Sequence, residues 1–160
     1  MEQSSKTLTF VVPAYNMETY LERCVESLLS ATDNSDIEVL IVDDGSSDST
    51  PELADMYERR WPGNVRAIHQ VNKGHGGAVN TGIANATGMY VKVVDADDWV
   101  DMPSIDTLMG TLRVQRVATD PVDMIVTNYV YDKVGKRVKH TVNFRHAMAA
   151  NTVLGWDDLG

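Results

Sequence analysis

Three aspartates within four positions, Asp95, Asp97 and Asp98, follow the apolar run Tyr90-Val91-Lys92-Val93-Val94. The run is rich in β-branched residues and free of Gly and Pro, so it reads as a buried strand. Its C-terminal end is where open α/β sheets bind ligands, and there the carboxylates stand. Two such charges ~4 Å apart repel by ~4 kcal/mol at an effective dielectric of about 20. A cation relieves that repulsion. All-oxygen ligation suits Mg²⁺ or Mn²⁺, and Mg²⁺ is usually held by one or two carboxylates together with substrate phosphates. The chemistry indicated is a metal that completes its shell with a phosphorylated ligand. A solvated turn that caps the next helix would use the same residue types.

A second chemical segment is Lys73-Gly74-His75-Gly76-Gly77. Gly74, Gly76 and Gly77 allow close backbone approach and positive φ. A helix starting after them points its N-terminus at anions. Lys73 offsets diphosphate charge, and His75 is placed to donate to a phosphate or a sugar; as an ordinary exposed loop histidine it would do neither. A third segment, Asp43-Asp44-Gly45, closes another apolar run.

The elements that must carry these groups alternate. Leu8 to Val12 is a strand stopped by Pro13, and a helix follows from Met17 to Ala31. Tyr20, Leu21, Cys24, Val25, Leu28 and Leu29 form its apolar face. Ile37 to Val42 is a second strand. Ser49-Thr50-Pro51-Glu52 reads as a capping box that opens the next helix, which Trp61-Pro62-Gly63 stops. Val65 to His69 is a third strand, Gly77 to Ala86 a helix, and Tyr90 to Val94 the fourth strand. Pro103 begins a helix to Val117. Asp123 to Tyr131 and Val138 to Phe144 read as strands paired across Lys133-Val134-Gly135-Lys136. The order predicts an α/β fold with a mostly parallel sheet and helices on both faces. It reads as a single domain over 1–160. Trp156-Asp157-Asp158-Leu159-Gly160 looks like the start of an unfinished helix, as if the domain were incomplete at its C-terminus.

The 160 residues carry a net charge of −9, with 43% hydrophobic and 23% charged residues. This is ordinary for a globular domain and offers no basic stripe for a nucleic acid. Lys133, Lys136, Arg137 and Lys139 read as a solvated face. Cys24 stands alone, which rules out an internal disulfide and a zinc-thiolate set. The first residues lack a signal-peptide layout, and no apolar run approaches the ~20 residues of a membrane span. The expected compartment is cytoplasmic. Without a secretory signal, the sequon Asn85-Ala86-Thr87 reads as chance.

Spacing tests the known phosphate-binding schemes. A dinucleotide fingerprint belongs after the first strand, where Pro13-Ala14-Tyr15-Asn16 stands instead. Gly77 to Gly82 has P-loop spacing, but Ile83 and Ala84 follow it. An EF-hand from Asp95 would need Gly at Val100 and Glu at Asp106. Asp95-Ala96-Asp97 fits a phosphatase-like pattern with Asp95 as nucleophile, but Trp99 breaks it and the motif comes after three strands.

Four segments together resemble the family 2 glycosyltransferases of the GT-A fold. They are Val11 to Asn16, Val42 to Thr50, Asn72 to Gly82, and Asp95 to Asp98, in the family's order. The resemblance implies transfer of a sugar from a nucleotide diphosphate sugar, with UDP expected, to an acceptor hydroxyl with inversion. It implies that Pro13, Ala14, Tyr15 and Asn16 lie against the nucleoside. Asp43 or Asp44 would accept from the base N3–H, the other forming the turn. Lys73, Gly74, His75, Gly76 and Gly77 would face the diphosphate. Asp95-Ala96-Asp97 is similar to the family's DxD motif: Asp97 would ligate Mg²⁺ or Mn²⁺, with Asp95 and Ala96 beside ribose or metal. Asp98 suits a cap, and Trp99 packing. The general base is implied beyond residue 160, so the catalytic residue is unknown and the chain alone is expected to transfer poorly. Glycan, lipid-linked saccharide and protein are the open acceptor classes, and the parent protein is compatible with peripheral membrane association. A non-catalytic sugar-nucleotide-binding module is the alternative, and a hydrolase using Asp95 a weaker one.

Overall fold

A computed structural model of the protein describes residues 6–132 and 139–155. The expected turn at Lys133 to Lys136, together with Arg137, the strand start at Val138 and the helix start at Trp156, Asp157 and Asp158, lies outside them. The chain forms two compact units, Met1–Ala118 and Thr119–Gly160.

The first unit contains β1 (Leu8–Ala14), α1 (Leu21–Leu28), β2 (Ile37–Asp43), α2 (Thr50–Arg60), β3 (Val65–His69), α3 (Gly74–Asn85), β4 (Tyr90–Val93) and α4 (Met102–Arg116). Its sheet has the order β3-β2-β1-β4, and all pairs are parallel. Every residue of β1 and β2 is buried. Strand side chains alternate between faces, so a strand buried throughout must be covered on both sides. Val11 and Val42 pack with Ala78 of α3 and with Ile68. The alternate set, Phe10, Val12 and Ile41, is fully buried on the other face. Each such side chain contributes roughly 1.5–3 kcal/mol relative to exposure.

The chain reverses its direction of travel between β1 and β4, the first strand pair at which the order switches. Open α/β sheets form a binding crevice at such a point.

Several boundaries differ from the sequence reading. Pro13 does not end β1. Asp44 N–H donates to Ala14 O on the β2 side, and Val94 N–H to Val11 O on the β4 side. By alternation Pro13 faces the β4 side, beyond the last β4 pair, so its missing N–H costs no ladder bond. α1 is shorter than 17–31, because residues 17–20 form a turn tied to the start of α2. Ser49 makes no side-chain cap at α2. Asp48 Oδ1 instead accepts from Thr50 N, and Glu18 Oε2 from Ser49 N. α3 begins at Gly74 rather than Gly77. β4 is an edge strand, not a buried one: Val91 and Val93 are 42% and 37% exposed. The cap of α4 is Asp101, which accepts from Ser104 N, rather than Asp98.

The second unit holds β5 (Tyr129–Tyr131) antiparallel to β6 (His140–Val142), followed by a 3₁₀ turn at Phe144–His146. Both strands are shorter than expected. Tyr129 meets Tyr131 edge-on at 5.3 Å between ring centroids.

Candidate functional site

The C-terminal edge of the parallel sheet collects the segments singled out by their chemistry. Two hydrogen-bonded clamps shape its β2–β3 side. The register sets Asp43 opposite His69. His69 Nδ1 lies 3.0 Å from Asp43 Oδ2, and its Nε2 lies 3.1 Å from Asp55 Oδ1 on α2. Asp43 Oδ1 also accepts from Ser46 N at 3.0 Å. The next residue of each strand end turns toward α3. Asp44 Oδ1 accepts from Gln70 Nε2 at 2.6 Å and from Lys73 N at 2.8 Å. Gln70 Oε1 in turn accepts from Thr81 Oγ1 of α3. Asp43 and Asp44 are thus both buried, and each is anchored to a different helix layer. Burial pushes the Asp44 carboxyl up, but the Gln70, Lys73 and Gly74 donors outweigh it and hold it below the usual range.

Gly45 makes the turn that follows possible. Its φ is +73°, and a Cβ there would lie 3.0 Å from Asn72 N. A side chain would meet both the backbone strain and the neighbouring loop.

The loop after β1 is zipped to the loop after β2. Asn16, at φ +53°, accepts at Oδ1 from Ser47 N and donates its own N–H to Ser46 Oγ. Met17 N donates to Thr50 Oγ1, and Glu18 N to Asp48 Oδ2. Tyr15 stays 49% exposed at the sheet edge.

α3 presents Gly74, His75, Gly76 and Gly77 as its first turn, with no acidic residue in that turn. The N–H groups of Gly74, His75 and Gly76 have no partner within the helix; Gly74 N donates to Asn72 Oδ1 at 3.1 Å, and the other two form the helix's positive end. His75 Nε2 reaches Asp95 Oδ1 at 2.8 Å, which joins the glycine-rich turn to the acidic loop after β4. That loop is supported from below by α1. Cys24 Sγ donates weakly to Asp95 O at 3.7 Å, and Ser27 Oγ accepts from Val100 N at 3.1 Å. The Arg23 guanidinium lies over the Trp99 ring, 3.3 Å from its centroid. Trp99 therefore packs as a cation–π partner.

The loop is electrostatically unbalanced. Partial burial, and then the negative charges of Asp97 and Asp95, push the Asp98 carboxyl above the usual range. Burial, and then Asp98, Asp97 and Asp95, push the Cys24 thiol up to about 12. Among the described residues no group of three or more His, Cys, Asp and Glu is arranged to hold a metal ion. The protein alone supplies two carboxylates, Asp95 and Asp97, in a field that favours a cation. Carboxylate oxygens are the donors that a divalent ion takes together with phosphate and water.

The structure therefore brings Pro13 to Asn16, Asp43, Asp44, Lys73 to Gly77, and Asp95 to Asp97 to one sheet edge. Sequence reasoning missed His69, Gln70 and Asp55 as parts of the site. His69 and Gln70 carried a signal, since a polar pair ends β3 opposite an acidic pair that ends β2.

The family described as Glycosyl transferase family 2 matches residues 9–154. Glycosyltransferase GlyG of Streptococcus pneumoniae is 40% identical over 131 residues, covering 81% of this chain and 41% of that protein. S. aureus TarS 1-349 in complex with UDP-GlcNAc has a TM-score of 0.61 and 26% identity, covering 69% of this chain and 32% of that one. The mannosyltransferase PcManGT of Pyrobaculum calidifontis, solved with GDP-Man and Mn²⁺, has a TM-score of 0.59 and 26% identity, covering 69% and 32%. The chain spans less than half the length of the curated relatives it matches. Among the described residues no helix is long and apolar enough to cross a membrane. The family match runs over most of the chain, on a GT-A fold that solved glycosyltransferases share, and so the chain belongs to glycosyl transferase family 2.

Proposed function

We propose that this sheet edge binds a UDP-sugar with a divalent cation, as the donor site of an inverting transfer to an acceptor hydroxyl. The observation that carries the reading is the convergence of four separate loops on the crevice beside β1. One brings buried carboxylates, one a positive helix end, one an acidic pair, and the loop after β1 the exposed Tyr15. Asp43 or Asp44 is assigned to the base N3–H, a donor carried by uracil. Pro13, Ala14, Tyr15 and Asn16 flank the nucleoside, with Tyr15 exposed enough to stack on it. Ala96, the buried member of the acidic loop, sets its path.

With Gly74 and Gly77 allowing its close approach to the backbone, the diphosphate is assigned to Lys73 and the N–H groups of His75 and Gly76. Their positive potential favours the charge that builds on the departing nucleoside diphosphate. Asp95 and Asp97 would hold Mg²⁺ or Mn²⁺, which supplies Lewis-acid stabilisation of that leaving group. His75 now bonds Asp95, so a bound cation would compete for that contact and free the ring to donate to phosphate or sugar. TarS solved with UDP-GlcNAc supports the uridine assignment, and PcManGT solved with Mn²⁺ supports the cation. The acceptor is a glycan, a lipid-linked saccharide or a protein, with any membrane association peripheral.

Calorimetric titration of UDP with Mn²⁺, with EDTA, and into Asp97→Asn tests the reading. Binding that needs the metal and drops at least about tenfold in the variant is expected, the scale of one lost charged ligand. Equal binding in EDTA and in the variant would contradict it.

A further inference from the structure

We propose that His69, held as an imidazolium, is a positioning residue that fixes Asp43 for the nucleobase, so that nucleotide affinity weakens as His69 loses its proton. The inference rests on the donor-site reading above. It stands on geometry: one ring lies between two carboxylates, Asp43 Oδ2 at 3.0 Å from Nδ1 and Asp55 Oδ1 at 3.1 Å from Nε2. A neutral imidazole has one N–H and one lone pair. Either tautomer would set that lone pair against a carboxylate. Only the doubly protonated ring satisfies both contacts.

The charged groups facing the ring are Asp43 from β2 and Asp55 from α2. Glu58, further along α2, turns to the Ala67 backbone N–H instead. The Asp43 side chain is 4% exposed and that of Asp55 48%. The buried carboxylate therefore depends on the ring far more than the exposed one does. The Asp43 hydrogen bond raises the His69 pKa, burial opposes it, and Asp55 adds to the rise. The sign follows. A raised value means the bridged state is complete below the ordinary histidine value and is lost as pH rises through the raised one.

Loss of the proton leaves two carboxylates sharing one N–H. It also makes the sheet edge one unit more negative toward an anionic ligand. Both effects lower nucleotide affinity. Asp43 would lose its fixed orientation while keeping its charge, and Ser46 N would remain its only other described donor.

The test is calorimetric titration of UDP with Mg²⁺ into the 160-residue chain between about pH 6 and about pH 9, a span that starts below the ordinary histidine value of ~6.5. Wild type is expected to lose about tenfold in affinity across the range, the worth of one charge-assisted hydrogen bond. His69→Asn keeps an N–H donor but has no titrating ring. It should change less than about twofold, and it reports any titration of UDP itself. Asp55→Asn removes only the exposed partner and should move the wild-type midpoint toward acid. Parallel profiles for wild type and His69→Asn, or an unmoved midpoint in Asp55→Asn, would overturn the proposal. Absence of UDP binding at every pH, with an intact cooperative melt, would overturn the donor-site reading and this inference with it.

Discussion

Cys24 illustrates how the acidic loop acts on a single residue. The thiol is 1% exposed, donates to Asp95 O, and has three aspartates above it. A thiol pushed up to about 12 has almost no thiolate at neutral pH. Alkylation by iodoacetamide at about pH 8 should be at least about 100-fold slower in the native chain than after denaturation. Equal rates would show that the loop does not shield it. Its role is to support the chain reversal at Asp95, and the sequence allowed only its reading as a small core residue. The neighbouring contacts from Arg23 and Ser27 were invisible there, because they join α1 to residues more than 70 positions away.

At the scale of elements, the layers are locked by a few special positions. Glu38 of β2 is 3% exposed and accepts from Thr9 Oγ1, Thr87 N, Thr87 Oγ1 and Arg66 Nη1. It joins β1, β3 and the exit of α3. Burial raises its pKa, but the Thr9, Thr87 and Arg66 donors outweigh that and lower it overall. A lowered value gives stability that is present above the ordinary glutamate range and lost as pH falls through the folded value. Glu38→Ala should cost about 3 kcal/mol in denaturant titrations at neutral pH, since it strands buried donors, and the cost should shrink in acid. A cost independent of pH would contradict this account.

Gly82 sets the approach of α3 to the sheet, because a Cβ there would overlap Val11 Cγ1. Gly82→Ala should destabilise by about 1–3 kcal/mol through overpacking, although alanine is the better helix former by about 1 kcal/mol. A more stable variant would mean that α3 can move off β1 freely. The same packing explains why Gly74 to Gly76 read locally as a loop. Glycine-rich sequence has poor helix propensity, and the helix there is sustained by its seat on β1 and β2. The half-exposed β4 has the matching explanation. An apolar run looks the same at a sheet edge as at its centre, and only the strand order reveals the difference.

At the scale of the whole molecule, the strand–helix alternation was legible because apolar runs and Gly, Pro and Asp punctuation coincide at strand ends. The positions of the carboxylates followed directly. What stayed hidden was long-range: the His69 and Gln70 clamps, the zipper between the loops after β1 and β2, and the Asp101 cap that displaced Asp98. All strands of the parallel sheet lie within Met1–Ala118, which forms one compact unit. A fragment ending at Ala118 should therefore melt cooperatively, which circular dichroism would show. A featureless melt would mean that this unit depends on the rest of the chain.

The central claim is that UDP and a divalent cation occupy one edge of one sheet. The most direct measurement is an NMR titration of the ¹⁵N-labelled chain, first with UDP and Mg²⁺ and then with Mn²⁺ in place of Mg²⁺. The account expects amide shifts confined to Ala14–Asn16, Asp43–Ser46, Lys73–Gly77 and Asp95–Asp98. It expects paramagnetic broadening by Mn²⁺ to centre on Asp95 and Asp97. Shifts and broadening centred elsewhere, or none at all in a well-dispersed spectrum, would contradict it.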